Sequence, residues 1–135
     1  MFKRICVFRV KPGQELVDGI GRYCHDSGIT SGIIIGIIGS LQSARLNFLK
    51  ELPAKYDSVD YQGPLEIVSA QGSVALKEKE PILHIHIQLS DEDMCCGGHL
   101  ANAKVFSTAE VTIGELDFQI VRHLDSYTGL NELVD

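Results

Sequence analysis

Residues Gly32-Ile33-Ile34-Ile35-Gly36-Ile37-Ile38-Gly39 place five isoleucines within eight positions, and no other run constrains the fold as much. β-Branched side chains are stiff in a helix and sit well on a pleated strand. Here the apolar residues occupy both alternating faces, so the run reads as a strand buried on both sides. Such a strand needs a partner on each edge and a layer above and below it. Gly36 and Gly39 read as points of bending or close backbone contact. The Gly-x-x-x-Gly spacing is followed by neither a membrane span nor a Lys-Ser/Thr pair, so it carries no phosphate-loop chemistry.

Around this run the periodicity is mostly two. Residues 2–10 read as a first strand and Lys11-Pro12-Gly13 as a turn. Residues 14–27 then switch to helical spacing, with Leu16, Ile20 and Tyr23 or Cys24 on one face, and Gly28 is a suitable stop. From Leu41 the pattern is β: 43–49, 64–69, 73–76, 82–89, 98–105, 110–116 and 118–124. Residues 50–62 are polar, contain Pro53, and read as a loop or edge excursion; the tail 125–135 reads as turn-like. One helix among many strands predicts an α+β fold, a curved, largely antiparallel sheet partly covered by one main helix. No repeat, linker or low-complexity segment interrupts residues 1–135, which predicts a single domain.

Composition narrows the partners. The chain has 135 residues, 44% hydrophobic and 22% charged, enough to bury a real core. No segment approaches the roughly 20 apolar residues that cross a bilayer. Lys3 and Arg4 give a basic start, but Arg9, Lys11 and Pro12 break any signal-peptide core, so a cytoplasmic location is expected. The net charge is −6, and Lys and Arg form no run, which argues against nucleic acid as a partner. Cys6 and Cys24 lie in apolar surroundings and read as small core residues; Cys95 and Cys96 are expected to stay reduced.

Chemistry concentrates in the histidines. Three of the five fall within sixteen positions, in His84-Ile85-His86 and Gly97-Gly98-His99. On a strand His84 and His86 share a face, about 7 Å apart. Ser90-Asp91-Glu92-Asp93 is turn-like; a hairpin centred on Glu92-Asp93 puts His86 opposite His99. Three imidazoles then converge, a set suited to zinc or another divalent transition metal with an open position. Isolated His-x-His strands are also commonly structural. Neutral imidazole is the binding form, so metal loss is predicted on acidification below roughly pH 6. His25 and His123 lack such company and read as surface or structural residues.

Blocks spread over the chain carry a resemblance. They are Arg9-Val10-Lys11-Pro12-Gly13-Gln14-Glu15-Leu16, Ile38-Gly39-Ser40-Leu41-Gln42-Ser43-Ala44 and Leu65-Glu66-Ile67-Val68-Ser69-Ala70-Gln71-Gly72. Leu83-His84-Ile85-His86, Gly97-Gly98-His99-Leu100 and Arg122-His123-Leu124-Asp125-Ser126-Tyr127-Thr128-Gly129-Leu130 complete them. Together they resemble the plant and prokaryote conserved (PPC) domain over nearly the whole chain. The resemblance implies a compact α+β domain that assembles as a homotrimer. It also implies a fold similar to acetolactate decarboxylases and some zinc esterases, which hold zinc by three histidines; that likeness carries onto His84, His86 and His99. Prokaryotic members are often labelled DNA-binding by analogy, a label that fold alone does not transfer.

Catalysis would need further groups. Glu66 is a charge within an apolar run, so it either faces the site as an acid/base or faces solvent. Arg9 and Arg122 either fork onto a substrate carboxylate or form structural ion pairs, Arg122 with Asp125. Three functions stay open: a metal-binding trimer whose site binds or transforms a small carbonyl or carboxylate compound, a DNA-associated or regulatory module with a structural metal, and a small-molecule sensor without turnover.

Overall fold

A computed structural model describes residues 1–134. In chain order the elements are β1 (Phe2–Val10), α1 (Leu16–Ser27), β2 (Gly32–Glu51) and β3 (Lys55–Lys77), followed by β4 (Glu80–Ser90), β5 (Cys95–Leu116), β6 (Val121–Leu124) and β7 (Asn131–Leu133). All strands join one sheet in the order β1-β5-β2-β3-β6-β7, while β4 pairs with both β3 and β5. β2, β3, β4 and β5 therefore form a closed circuit of hydrogen-bonded neighbours, which curls the sheet around its core. Every pairing is antiparallel except β3 with β6, which is parallel at Leu76–Val121 and Lys77–Arg122. The expected α+β architecture, a curved and largely antiparallel sheet with one helix, is the one observed.

The helix starts one turn after β1. Glu15, in extended conformation, accepts a hydrogen bond from the Asp18 N–H at its N-terminus. Its other carboxylate oxygen accepts from the Ala103 N–H at 2.8 Å, which fastens the helix start to β5. Leu16, Ile20 and Cys24 are fully buried against the sheet, and Gly28 ends the helix in the left-handed conformation. Burial pushes the Cys24 thiol up to about 11, so it stays protonated and inert. No helix among the described residues is long and apolar enough to cross a membrane.

The strands are longer than the local patterns predict. β2, β3 and β5 each run straight through glycines or polar residues that separate two predicted strands. Gly39 explains one such passage: it has positive φ, and a Cβ there would collide with the Thr108 carbonyl of β5. A Cβ at Gly36, by contrast, would meet open space.

Three expectations are corrected. Residues 50–62 take the edge-excursion alternative and not the loop: apart from the turn at 52–54, residues 43–51 pair with 55–62 as a β-arm. Arg45 donates to both carboxylate oxygens of Asp60, at 2.8 and 2.9 Å, and Ser58 donates to Asn47 at 2.7 Å. These polar cross-strand pairs made the ribbon look like loop sequence. The tail also contributes a strand, β7, and β6 starts at Val121 rather than 118. Finally, the isoleucine-rich run is buried on one face only. Ile34 and Ile37 are in the core, whereas Ile33, Ile35 and Ile38 are 36%, 45% and 71% exposed. Among the described residues of the chain, nothing is layered over Ile33, Ile35 and Ile38 on that outer face.

Candidate metal centre

Strand alternation builds the centre. Ile85, Ile87 and Leu89 of β4 point into the core, so His84 and His86 must point away from it. The hairpin turns at Asp91, whose carboxylate accepts from the N–H groups of Asp93 and Met94 at 2.8 Å each. That turn sets the register Ser90–Cys95 and, four pairs further on, His86–His99. β5 in turn places His99 opposite Asn47 of β2. Gly98 permits the packing beside it, since a Cβ there would lie 3.1 Å from the Phe48 ring.

The three imidazoles converge as the spacing predicts. One potential ligand nitrogen from each of His84, His86 and His99 lies within 4.8 Å of the other two. The ring centroids are 5.2 Å (His84–His86), 5.0 Å (His84–His99) and 5.5 Å (His86–His99) apart. Burial, with Arg122 and the two neighbouring rings, pushes His84 down to about 4. Burial and His86 likewise lower His99. His84 thus stays unprotonated well below pH 6, in the form that binds metals. Three imidazoles gathered in this way are a donor set that fits a divalent transition metal.

A cavity of about 600 Å³ opens beside the rings. Arg122, Asn131 and Glu132 of the small β6–β7 hairpin line it. Arg122 is only 6% exposed; it donates to the Asn131 carbonyl at 2.9 Å and to Ser73 Oγ at 3.0 Å. Among the described residues its Nε has no partner, nor does Asn131 Oδ1. The expected ion pair with Asp125 is not formed. Asp125 instead accepts from the Tyr127 and Thr128 N–H groups in its own loop, which hold its carboxyl below the usual range.

Other candidates lie elsewhere. Glu66 is exposed on β3, paired across the backbone with Ser40 and Ser90, and does not line the cavity. Its position is the solvent-facing alternative, because Leu65 and Ile67 take the core face. Arg9 donates to Thr108 Oγ1 and the Ser107 carbonyl, away from the histidines. Cys95 and Cys96 sit near the hairpin turn, opposite Ser90 and Leu89, and line no part of the cavity. Sequence reasoning missed Asn47, Leu49, Tyr56, Asn131 and Glu132, all of which line it. For Asn47 and Leu49 the signal was the strand pattern of 43–49; residues 56–62 have no clear alternation and gave none for Tyr56.

Comparisons with known proteins bear on the family and the fold. A family model described as the Plants and Prokaryotes Conserved (PCC) domain matches residues 1–117. A metal-containing protein from Archaeoglobus fulgidus is 30% identical, with a TM-score of 0.92, covering 100% of this chain and 96% of its own. A plant- and prokaryote-conserved protein from Pyrococcus horikoshii is also 30% identical, with a TM-score of 0.90 and coverage of 100% and 94%. At the level of fold alone, the chain is similar to a Staphylococcus aureus protein of unknown function that resembles α-acetolactate decarboxylase. That likeness has 15% identity and a TM-score of 0.59, over 88% of this chain and 55% of the other. Among curated sequences, the bifunctional protein GlmU of Synechococcus sp. (strain JA-3-3Ab) is 27% identical over 135 residues. The alignment takes in 96% of this chain, but the chain spans only 20% of that relative's length.

Proposed function

The chain belongs to the Plants and Prokaryotes Conserved domain family, and from that premise we propose that it is a metal-binding homotrimer whose three-histidine centre takes a small carbonyl or carboxylate compound. The observation that carries this reading is the convergence of His84, His86 and His99 on a cavity that Arg122 also lines. The histidines would hold zinc or another divalent transition metal, and a metal held there supplies Lewis-acid chemistry at an oxygen. Arg122 would orient a carboxylate, its guanidinium being fixed by Ser73 and the Asn131 backbone. The metal-containing archaeal relative supports the metal.

Support for the trimer comes from the outer sheet face. Ile5, Val7, Ile33 and Ile38 lie on one side of neighbouring strands, each at least one-third exposed. Exposed apolar side chains gathered on one face, here around Thr112 and the Arg9–Glu110 row, are what a subunit interface covers. DNA association finds no comparable support, since the net charge is −6.

Elemental analysis tests the metal. The purified protein should hold about one zinc per chain, and His84→Ala/His86→Ala none. No metal in either after reconstitution would reduce the histidines to packing residues.

A further inference from the structure

We propose that the cavity takes a small monocarboxylate bearing an apolar tail, with its carboxylate at the histidine–Arg122 end and its tail against Leu49, Tyr56 and Ile82. The proposal rests on the metal reading above and specifies the ligand class of the same site. It follows from how the strands distribute polar and apolar side chains around the rings.

Ile82 precedes His84 by two positions on β4, so both face the same way. Leu49 lies two positions beyond Asn47, the residue directly opposite His99, and Tyr56 is the cross-strand partner of Leu49. The apolar wall thus begins one pleat, about 7 Å, from His84 on β4 and one pleat beyond Asn47, the cross-strand neighbour of His99, on β2. That is roughly the reach of a short alkyl chain. Leu49 and Tyr56 are 47% and 52% exposed, apolar surface that a purely polar ligand would leave wet. The cavity, about 600 Å³, is of ordinary size for a small organic ligand.

Charge selects the head. With a divalent cation on the histidines, that cation and Arg122 outweigh Glu132, the one carboxylate in the lining among the described residues. The site then favours an anion, and Glu132 disfavours a second negative group on the same ligand. Arg122 lines the cavity with its guanidinium held in place by the Asn131 carbonyl and Ser73 Oγ, so its positive charge is fixed at that end.

The test is calorimetric. Zinc uptake by the full chain is measured first. The zinc-loaded protein is then titrated with acetate, butanoate, hexanoate and 1-hexanol. Affinity should rise about fourfold per added methylene along the carboxylates, and 1-hexanol should bind far more weakly than hexanoate. Leu49→Ser/Tyr56→Ser, on the exposed arm, should keep zinc stoichiometry and flatten the chain-length dependence. Equal affinity for acetate and hexanoate in zinc-loaded protein, or a slope unchanged in the double variant, overturns the proposal while the metal reading stands. Failure of the first titration overturns the metal reading, and the proposal with it.

Discussion

At the scale of single residues, the molecule separates charges that stabilise it from groups left poised at the cavity. Glu115 is buried on β5 and hydrogen-bonded by both Arg4 and Lys3. Burial alone would raise its pKa, but those hydrogen bonds and charges outweigh it and hold the carboxyl below its ordinary value of 4.5. A carboxylate held lower in the folded than in the unfolded state stabilises above the unfolded value. That contribution is lost as pH falls through the folded one. The thermal midpoint should therefore drop as pH is lowered from 5 towards 3, and Glu115→Gln should blunt the drop. An identical pH profile in the variant would show that other carboxylates govern acid unfolding. Arg122 contrasts with Glu115: it is buried and, among the described residues, has no ion pair and one donor without a partner.

At the scale of elements, the β-arm depends on a contact with the chain's last segment. The Ala54 N–H at its tip donates to the Thr128 carbonyl at 2.7 Å. Gly129 makes that approach possible: its φ is 70°, and a Cβ would lie 2.9 Å from the Ala54 nitrogen. Gly129→Ala should cost about 1–2 kcal/mol from the left-handed backbone alone. It should also speed hydrogen exchange at Ala54, because the tip can no longer seat. Unchanged exchange there would mean that the arm holds its position through its own cross-strand pairs. Within the arm, Leu46 has no exposed surface, and Leu46→Ala should destabilise by about 2–5 kcal/mol in denaturant titration.

At the scale of the whole molecule, the closed circuit of β2 to β5 satisfies the inner face and leaves the outer one bare. Ile5, Gly114 and Ile33 form one row across β1, β5 and β2; Arg9, Glu110 and Ile38 form another. If copies assemble on this face, Val7→Glu/Ile38→Glu should convert a trimer to monomers in sedimentation velocity, with the far-UV circular dichroism unchanged. A trimer that survives both charges would place the interface elsewhere. The family membership and the fold both stand independently of that outcome.

The sequence by itself determined what depends on near neighbours. A period of two, interrupted by one turn, sufficed to put His86 opposite His99, because register follows from counting outward from Asp91 to Met94. The same counting located β1, the helix and its Gly28 stop. It located the first strand of the arm, 43–49, but not the second, 55–62, which persists through pairs such as Arg45–Asp60 that exist only once the ribbon forms. Nor could it bring Arg122 to Ser73, 49 positions away, or show Glu66 facing outward. Only the tertiary structure decided those, and it left the isoleucine run half exposed, because burial is a property of what is layered on a strand and not of the strand's own residues.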